Sequence, residues 1–127
     1  MRNAKPNSRQ KAYRLGHSGE RLTILLLRLR GYSILARRFR CPAGEIDIVA
    51  RRGEMLAMVE VKARRNGEVE VLSVRQQQRI ARAATFFIAM YPQFAHCTVR
   101  CDIAIIRPWR WPQLIFNAWQ IEGNNYG

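Results

Sequence analysis

Asp47, Glu60 and Lys62 stand in the run GEIDIVARRGEMLAMVEVKAR as an acid, twelve intervening residues, and then Glu-Val-Lys. Carboxylates brought together on one face of a hairpin repel each other unless a cation, an ammonium or a proton compensates them. Mg²⁺ suits such a pair, since it takes oxygen ligands and is commonly held by one or two carboxylates, water and substrate phosphate. Mn²⁺ accepts the same donors. A lysine two residues beyond the second acid could orient an attacking water or, as the neutral amine, deprotonate it, and as the ammonium could offset charge developing on phosphorus. The chemistry this pattern suits is hydrolysis of a phosphodiester. The competing reading is a solvated strand face carrying ordinary ion pairs. Against it, the neighbours Ile46, Ile48, Val49, Met58, Val59 and Val61 are apolar, as in a central hairpin covered on both faces. A covered face rarely carries several carboxylates without a role.

The hairpin must be in the right register for this. Strands are expected over Glu45–Arg51 and Glu54–Arg64, around an Arg52-Gly53 turn of the X-Gly kind. Glu45 then opposes Glu60, Asp47 opposes Met58, and Ala43 opposes Lys62. Because side chains repeat every second residue, Glu45, Asp47, Glu60 and Lys62 share one face. A three-residue turn would reverse the parity and separate them.

Other elements frame the hairpin. Residues 1–9 are polar, basic and broken by Pro6, and read as a flexible arm ahead of a single domain over 10–127. A helix is expected from Gln10 to Arg30, stopped by Gly31, with Leu22, Leu25, Leu26 and Leu29 as its core-facing stripe. Glu20 falls nearly opposite, in line with Ile24 and Leu27. Tyr32–Arg40 reads as the first strand. Ser73 is the expected N-cap of a second helix, Val74 to Tyr91, which buries Ile80, Ala83, Ala84, Phe87 and Ile88 and ends before Pro92. Val99–Arg107 is a further strand, with a short edge strand around Leu114–Phe116. The architecture expected is α/β, a mixed sheet with helices on both sides.

The formal net charge is +13, from 22 Lys and Arg against nine acids. Residues 1–40 hold eleven basic residues and Glu20 alone, and 19 of the 22 basic residues are Arg. Such a surface suits a polyanion, nucleic acid first, held through bidentate phosphate contacts with little reading of base sequence. The footprint centres on Arg37, Arg38 and Arg40 with Arg14, Arg9 and Lys11. Arg75, Arg79 and Arg82 line one stripe of the second helix. No apolar run reaches membrane-spanning length, and three cysteines without a CxxC pair fit a reducing, cytoplasmic setting. His96, Cys97 and Cys101 are not a zinc set, because strand residues four apart lie roughly 13 Å from each other. They read as small buried thiols.

GHSGERL (Gly16–Leu22), GYSIL (Gly31–Leu35), GEIDIVA (Gly44–Ala50), VEVKAR (Val59–Arg64) and VRCDIAII (Val99–Ile106) resemble, in order, the bacterial YraN-type family of uncharacterised proteins. The resemblance runs from Gly16 to Trp119. It implies the restriction-endonuclease-like fold, three layers α/β/α with the PD-(D/E)xK signature, an arrangement similar to that of archaeal Holliday-junction resolvases. It also implies Glu20, Asp47, Glu60 and Lys62 as the metal-and-catalysis set; with Glu45 added by the hairpin register, the expected ligands of Mg²⁺ or Mn²⁺ are Asp47, Glu60, Glu20 and Glu45. Arg64, Arg75 and Arg79 join the phosphate-contacting surface. A homodimer is compatible with it, since junction resolvases work in pairs. The chain departs from the family at Gln76, where Lys is usual near the start of the second helix.

Among the remaining residues, Glu68 and Glu70 read as solvated loop acids and His17 as a surface histidine. Asp102 reads as a structural hydrogen-bonding group. Trp109 and Trp111 share a face and are expected to cover the sheet edge, with stacking on unpaired bases as the other use of such a pair. The function expected is metal-dependent hydrolysis of structured or branched nucleic acid, DNA first. The alternative is a non-catalytic nucleic-acid-binding module that keeps its acids for metal or for the fold.

Overall fold

Two helices with apolar faces and five β-branched or aromatic-rich segments resolve into one sheet with a helix on each side. The computed structural model of the chain describes residues 8–65 and 72–119, with side chains over 18–65 and 72–116. The element order is α1 (Ser8–Leu29), β1 (Ser33–Cys41), β2 (Gly44–Arg52), β3 (Met55–Ala63), α2 (Val74–Met90), β4 (Thr98–Ile106) and β5 (Gln113–Trp119). A single 3₁₀ turn, Pro92–Phe94, follows α2. Ser8 and Arg9, expected in the N-terminal arm, begin α1 instead. Residues 1–7 lie outside the described residues, as do Glu68 and Glu70.

The sheet runs β1-β2-β3-β4-β5 in space, antiparallel throughout except that β3 and β4 are parallel. A parallel pair needs a crossover, and α2 supplies it. Ser73 caps that helix: its hydroxyl accepts from the Gln76 amide at 3.2 Å, and its own amide donates to Gln76 Oε1 at 3.1 Å. Gln76 therefore completes a capping box. Ile80, Ala83, Ala84 and Phe87 are buried, and Ile88 packs at the edge of their cluster with Ile46, Met58 and Ile103. Phe39 meets Phe87 edge to face, with ring centroids 5.2 Å apart.

On the other face, α1 buries a different stripe from the one expected. Glu20, Thr23, Ile24 and Leu27 point inward, whereas Leu22, Leu25 and Leu29 are exposed and Leu26 is half-buried. Close approach explains the choice. A Cβ on Gly19 would lie 2.4 Å from Ile106 Cγ1, so the helix rests on β4 where it has no side chain. The Thr23 hydroxyl turns back to donate to the Gly19 carbonyl at 2.7 Å, which satisfies it within the buried contact. The helix can then seat Ile24 and Leu27 against Ile48, Ala57, Val59 and Ala104.

Candidate metal and nucleic-acid site

The β2–β3 turn uses Gly53 and Glu54, with Arg52 opposing Met55. This corrects the expected Arg52-Gly53 turn. Gly53 occupies the first turn position with φ 60, as in a type II′ turn, not the second position of an X-Gly turn. The pairing slides by two residues, which preserves the face of every side chain. The ladder runs as far as Ile48↔Val59, and one step further Asp47 comes opposite Glu60, not Met58.

The strands part at this point. Val61 donates its amide to Asp47 Oδ2 at 2.8 Å, so a side-chain carboxylate stands where a ladder carbonyl would otherwise accept. The Asp47 and Glu60 carboxyl groups hydrogen-bond to each other. Burial pushes Glu60 up to about 8, reinforced by the neighbouring Asp47 charge and opposed by Lys62. Asp47 is raised too, chiefly by burial, with the Val61 amide and Glu60 pulling it back. At neutral pH Glu60 therefore keeps its proton. Lys62 Nζ lies 3.7 Å from Glu60 Oε2.

Glu20 reaches the same end of the sheet from α1. Its Oε2 accepts from Arg38 Nε at 3.5 Å, and Arg37 Nη2 lies 3.7 Å from Oε1. Two consecutive strand residues normally point to opposite faces. Here Arg38 has φ 52, and Ile46 and Ile48, although two apart, pack into opposite cores. The break in alternation at Arg38, in the row that pairs with Asp47, turns both guanidinium groups toward Glu20. Glu20 Oε1 is nevertheless buried without a hydrogen-bond partner, since 3.7 Å is beyond bonding distance. A buried carboxylate oxygen left in this state fits a cation-binding role.

Glu45 is more exposed and accepts from Arg40 Nε at 3.0 Å. Its charge raises Asp47, so it faces the pair without joining it. Among the described residues no three Asp, Glu, His or Cys side chains converge on one point. The structure thus brings Asp47, Glu60 and Lys62 together, with Glu20 and Glu45 alongside, each held by arginine. Arg64 flanks the end of β3 and donates to the Ala63 carbonyl at 2.7 Å. Arg75 and Arg79 are exposed on α2, and Arg79 Cβ packs beside Gly44 at the start of β2. Arg14 and His17 lie on α1, and their side chains fall outside the described residues.

Asp102 is away from this cluster and takes the structural role expected of it. It is buried and gripped by Arg100, Nε to Oδ1 at 2.9 Å and Nη2 to Oδ2 at 2.8 Å, while the same guanidinium donates to the Tyr32 hydroxyl. Cys97 and Cys101 are buried free thiols, and burial pushes Cys101 up to about 12, which leaves it unreactive. Sequence reasoning missed the left-handed backbone at Arg38 and the close approach at Gly19. For Gly19, the only sequence signal was a glycine placed beside the one acid of the N-terminal third.

A mixed five-stranded sheet with a helix on each face, and acids where two central strands part, defines a restriction-endonuclease-like α/β domain. A solved structure of Hjc, a Holliday junction resolvase from Archaeoglobus fulgidus, shares this fold with a TM-score of 0.52 and 21% identity, over 80% of this chain and 76% of that one. The chain belongs to the uncharacterised protein family UPF0102, whose sequence model matches residues 19–106. A UPF0102 protein of Parvibaculum lavamentivorans is 50% identical over 94% of this chain and 91% of its own length. One from Chelativorans sp. is 48% identical over 88% and 92%. Among the described residues no helix is long and apolar enough to cross a membrane.

Proposed function

We propose that the protein is a metal-dependent nuclease-like protein that hydrolyses phosphodiesters of structured or branched nucleic acid, DNA first. The observation that carries this reading is the meeting of the half-buried Asp47 and Glu60 carboxyls where β2 and β3 part, with Lys62 Nζ 3.7 Å from Glu60 Oε2. A chain of net charge +13 gathers them at a sheet end edged with arginine. Asp47 and Glu60 would hold Mg²⁺ or Mn²⁺ in place of the Glu60 proton, with Glu20 on the neighbouring helix adding negative charge nearby. When bound, the ion supplies positive charge that stabilises the pentacoordinate phosphorus and fixes the phosphate oxygens. Lys62 orients the attacking water, whose oxygen bonds to phosphorus as the leaving P–O bond breaks; the water's proton passes to solvent, the leaving oxygen takes one from solvent, and the Lys62 ammonium offsets the charge that develops. Arg37, Arg38, Arg40, Arg64 and Arg79 hold the backbone on either side.

One observation favours a second reading. Glu20 and Glu45 are each engaged by arginine, which suits a binding module that uses its acids to order basic side chains. A cleavage panel of branched, flapped and linear substrates with Mg²⁺ and Mn²⁺ separates the two. Asp47→Ala and Glu60→Ala are expected to abolish cleavage and to keep or strengthen binding, because each removes negative charge from the surface. Unchanged cleavage in both variants would sink the nuclease reading, and metal binding without cleavage of any substrate would favour the module.

A further inference from the structure

Beside the carboxylates lies a second feature that their chemistry does not use. A cleft of about 530 Å³ opens between α1 and the segment joining β4 to β5, within the usual size of small-ligand sites, about 300–1,000 Å³. Gly19 and Ile106 form its floor and Leu22 one wall. Trp109 and Trp111 edge it, with Arg107 and Arg110 between and beside them. The expectation that these tryptophans cover the sheet edge is not met: Trp109 is fully exposed and Trp111 is 66% exposed. Trp109 also holds φ 63, a left-handed backbone that a bulky residue adopts only at a cost. Arg107 is pinned by a 2.8 Å hydrogen bond from Nη1 to Gln113 Oε1, which fixes the base of the segment.

The cleft and the carboxylate site share a border. Gly19 precedes Glu20 in α1, and Ile106 pairs with Ala63, the residue after Lys62. A strand laid across Asp47 and Glu60 would reach the indoles without leaving the surface. Indole faces stack on any base, but only on a base not already stacked inside a helix. Guanidinium groups alongside them supply contacts for the flanking phosphates.

We propose that this cleft takes an unpaired nucleotide of a strand whose backbone crosses the carboxylate site, and so selects substrates with single-stranded or flapped segments over fully paired duplex. The proposal rests on the nucleic-acid reading of the site. Its test needs no cleavage. Binding of fluorescent oligothymidylate, oligouridylate and a blunt hairpin duplex is measured by anisotropy in EDTA, for the parent chain and for Trp109→Ala, Trp111→Ala and Trp109→Phe. Each alanine variant is expected to lose about tenfold in affinity for one or both single strands and less than about twofold for duplex, with Trp109→Phe restoring most of the loss. Both side chains are exposed, so thermal melting should show intact folds.

Equal losses on single strand and duplex, or no loss on either, would overturn the proposal. So would a dimer that becomes a monomer in the alanine variants with single-strand binding unchanged, since the cleft would then be covered by a second copy of the chain. Selective losses in a protein that cleaves nothing would keep the cleft and remove the nuclease reading. Cleavage of flaps that the tryptophan variants leave untouched would do the reverse.

Discussion

Asp47 and Glu60 come opposite each other where β2 and β3 part, and burial, reinforced by the neighbouring Asp47 charge, holds the Glu60 carboxyl protonated up to about pH 8. The arrangement stores a proton in the native state that the unfolded chain releases near the ordinary glutamate value of 4.5. Between those two values the native protein carries more protons than the unfolded one, so its stability falls as pH rises through the window.

Glu60→Gln keeps a hydrogen-bond donor and removes the titration. It should match the parent near pH 4.5 and exceed it by ~2–4 kcal/mol at about pH 9, in metal-free buffer. Urea denaturation at the two pH values checks this. A gap that does not widen with pH would mean that Glu60 titrates normally.

Metal binding should be coupled to the same proton. Mn²⁺ or Mg²⁺ must displace it, so affinity is expected to rise about tenfold per pH unit up to about pH 8 and then level off. Calorimetry in buffers of different ionisation enthalpy should find close to one proton released per ion near neutral pH. Asp47→Asn should remove both the binding and the proton release.

Arg38 combines two separable roles, its φ of 52 and its bond to Glu20. Arg38→Ala keeps the left-handed backbone and loses the bond, and should destabilise by ~2 kcal/mol, because among the described residues the buried Glu20 carboxylate then keeps Arg37 alone. Arg38→Gly suits the left-handed backbone and should recover about half of that loss. Identical melting temperatures for the two variants would show that the backbone conformation carries no strain.

Gly19→Ala is expected to cost ~2–3 kcal/mol, since its Cβ would lie within 2.9 Å of three Ile106 side-chain carbons on a stiff β-branched residue. Pairing it with Ile106→Ala should make the two changes less than additive in stability. Additive losses would place the helix further from β4 than this contact requires.

Arg100→Ala should be among the most damaging single changes, ~3 kcal/mol or more, because it leaves Asp102 buried without its bidentate partner. Metal affinity in whatever fraction folds should be unaffected, as Asp102 stands apart from the Asp47–Glu60 pair. A metal-binding defect larger than the folding defect would bring Asp102 into the site.

Much of this was legible in the sequence because it depends on local periodicity. Alternation along two strands puts Asp47, Glu60 and Lys62 on one face, and it survived a turn placed one residue from where it was expected, since a slide of two keeps parity. The capped second helix, with Ile80, Ala83, Ala84 and Phe87 inward, follows from its own spacing and from Ser73. What the sequence left open were choices between near-equal local alternatives. α1 carries two apolar stripes, and only the sheet selects the one with Gly19 and Thr23, because small residues let the helix come close. That choice buries Glu20 and leaves Leu22 and Leu25 in solvent. The left-handed backbone at Arg38 and the exposure of Trp109 likewise have no signature in spacing. They arise from how strand ends meet a helix and a turn far away in the chain, and such contacts exist only once the sheet has closed.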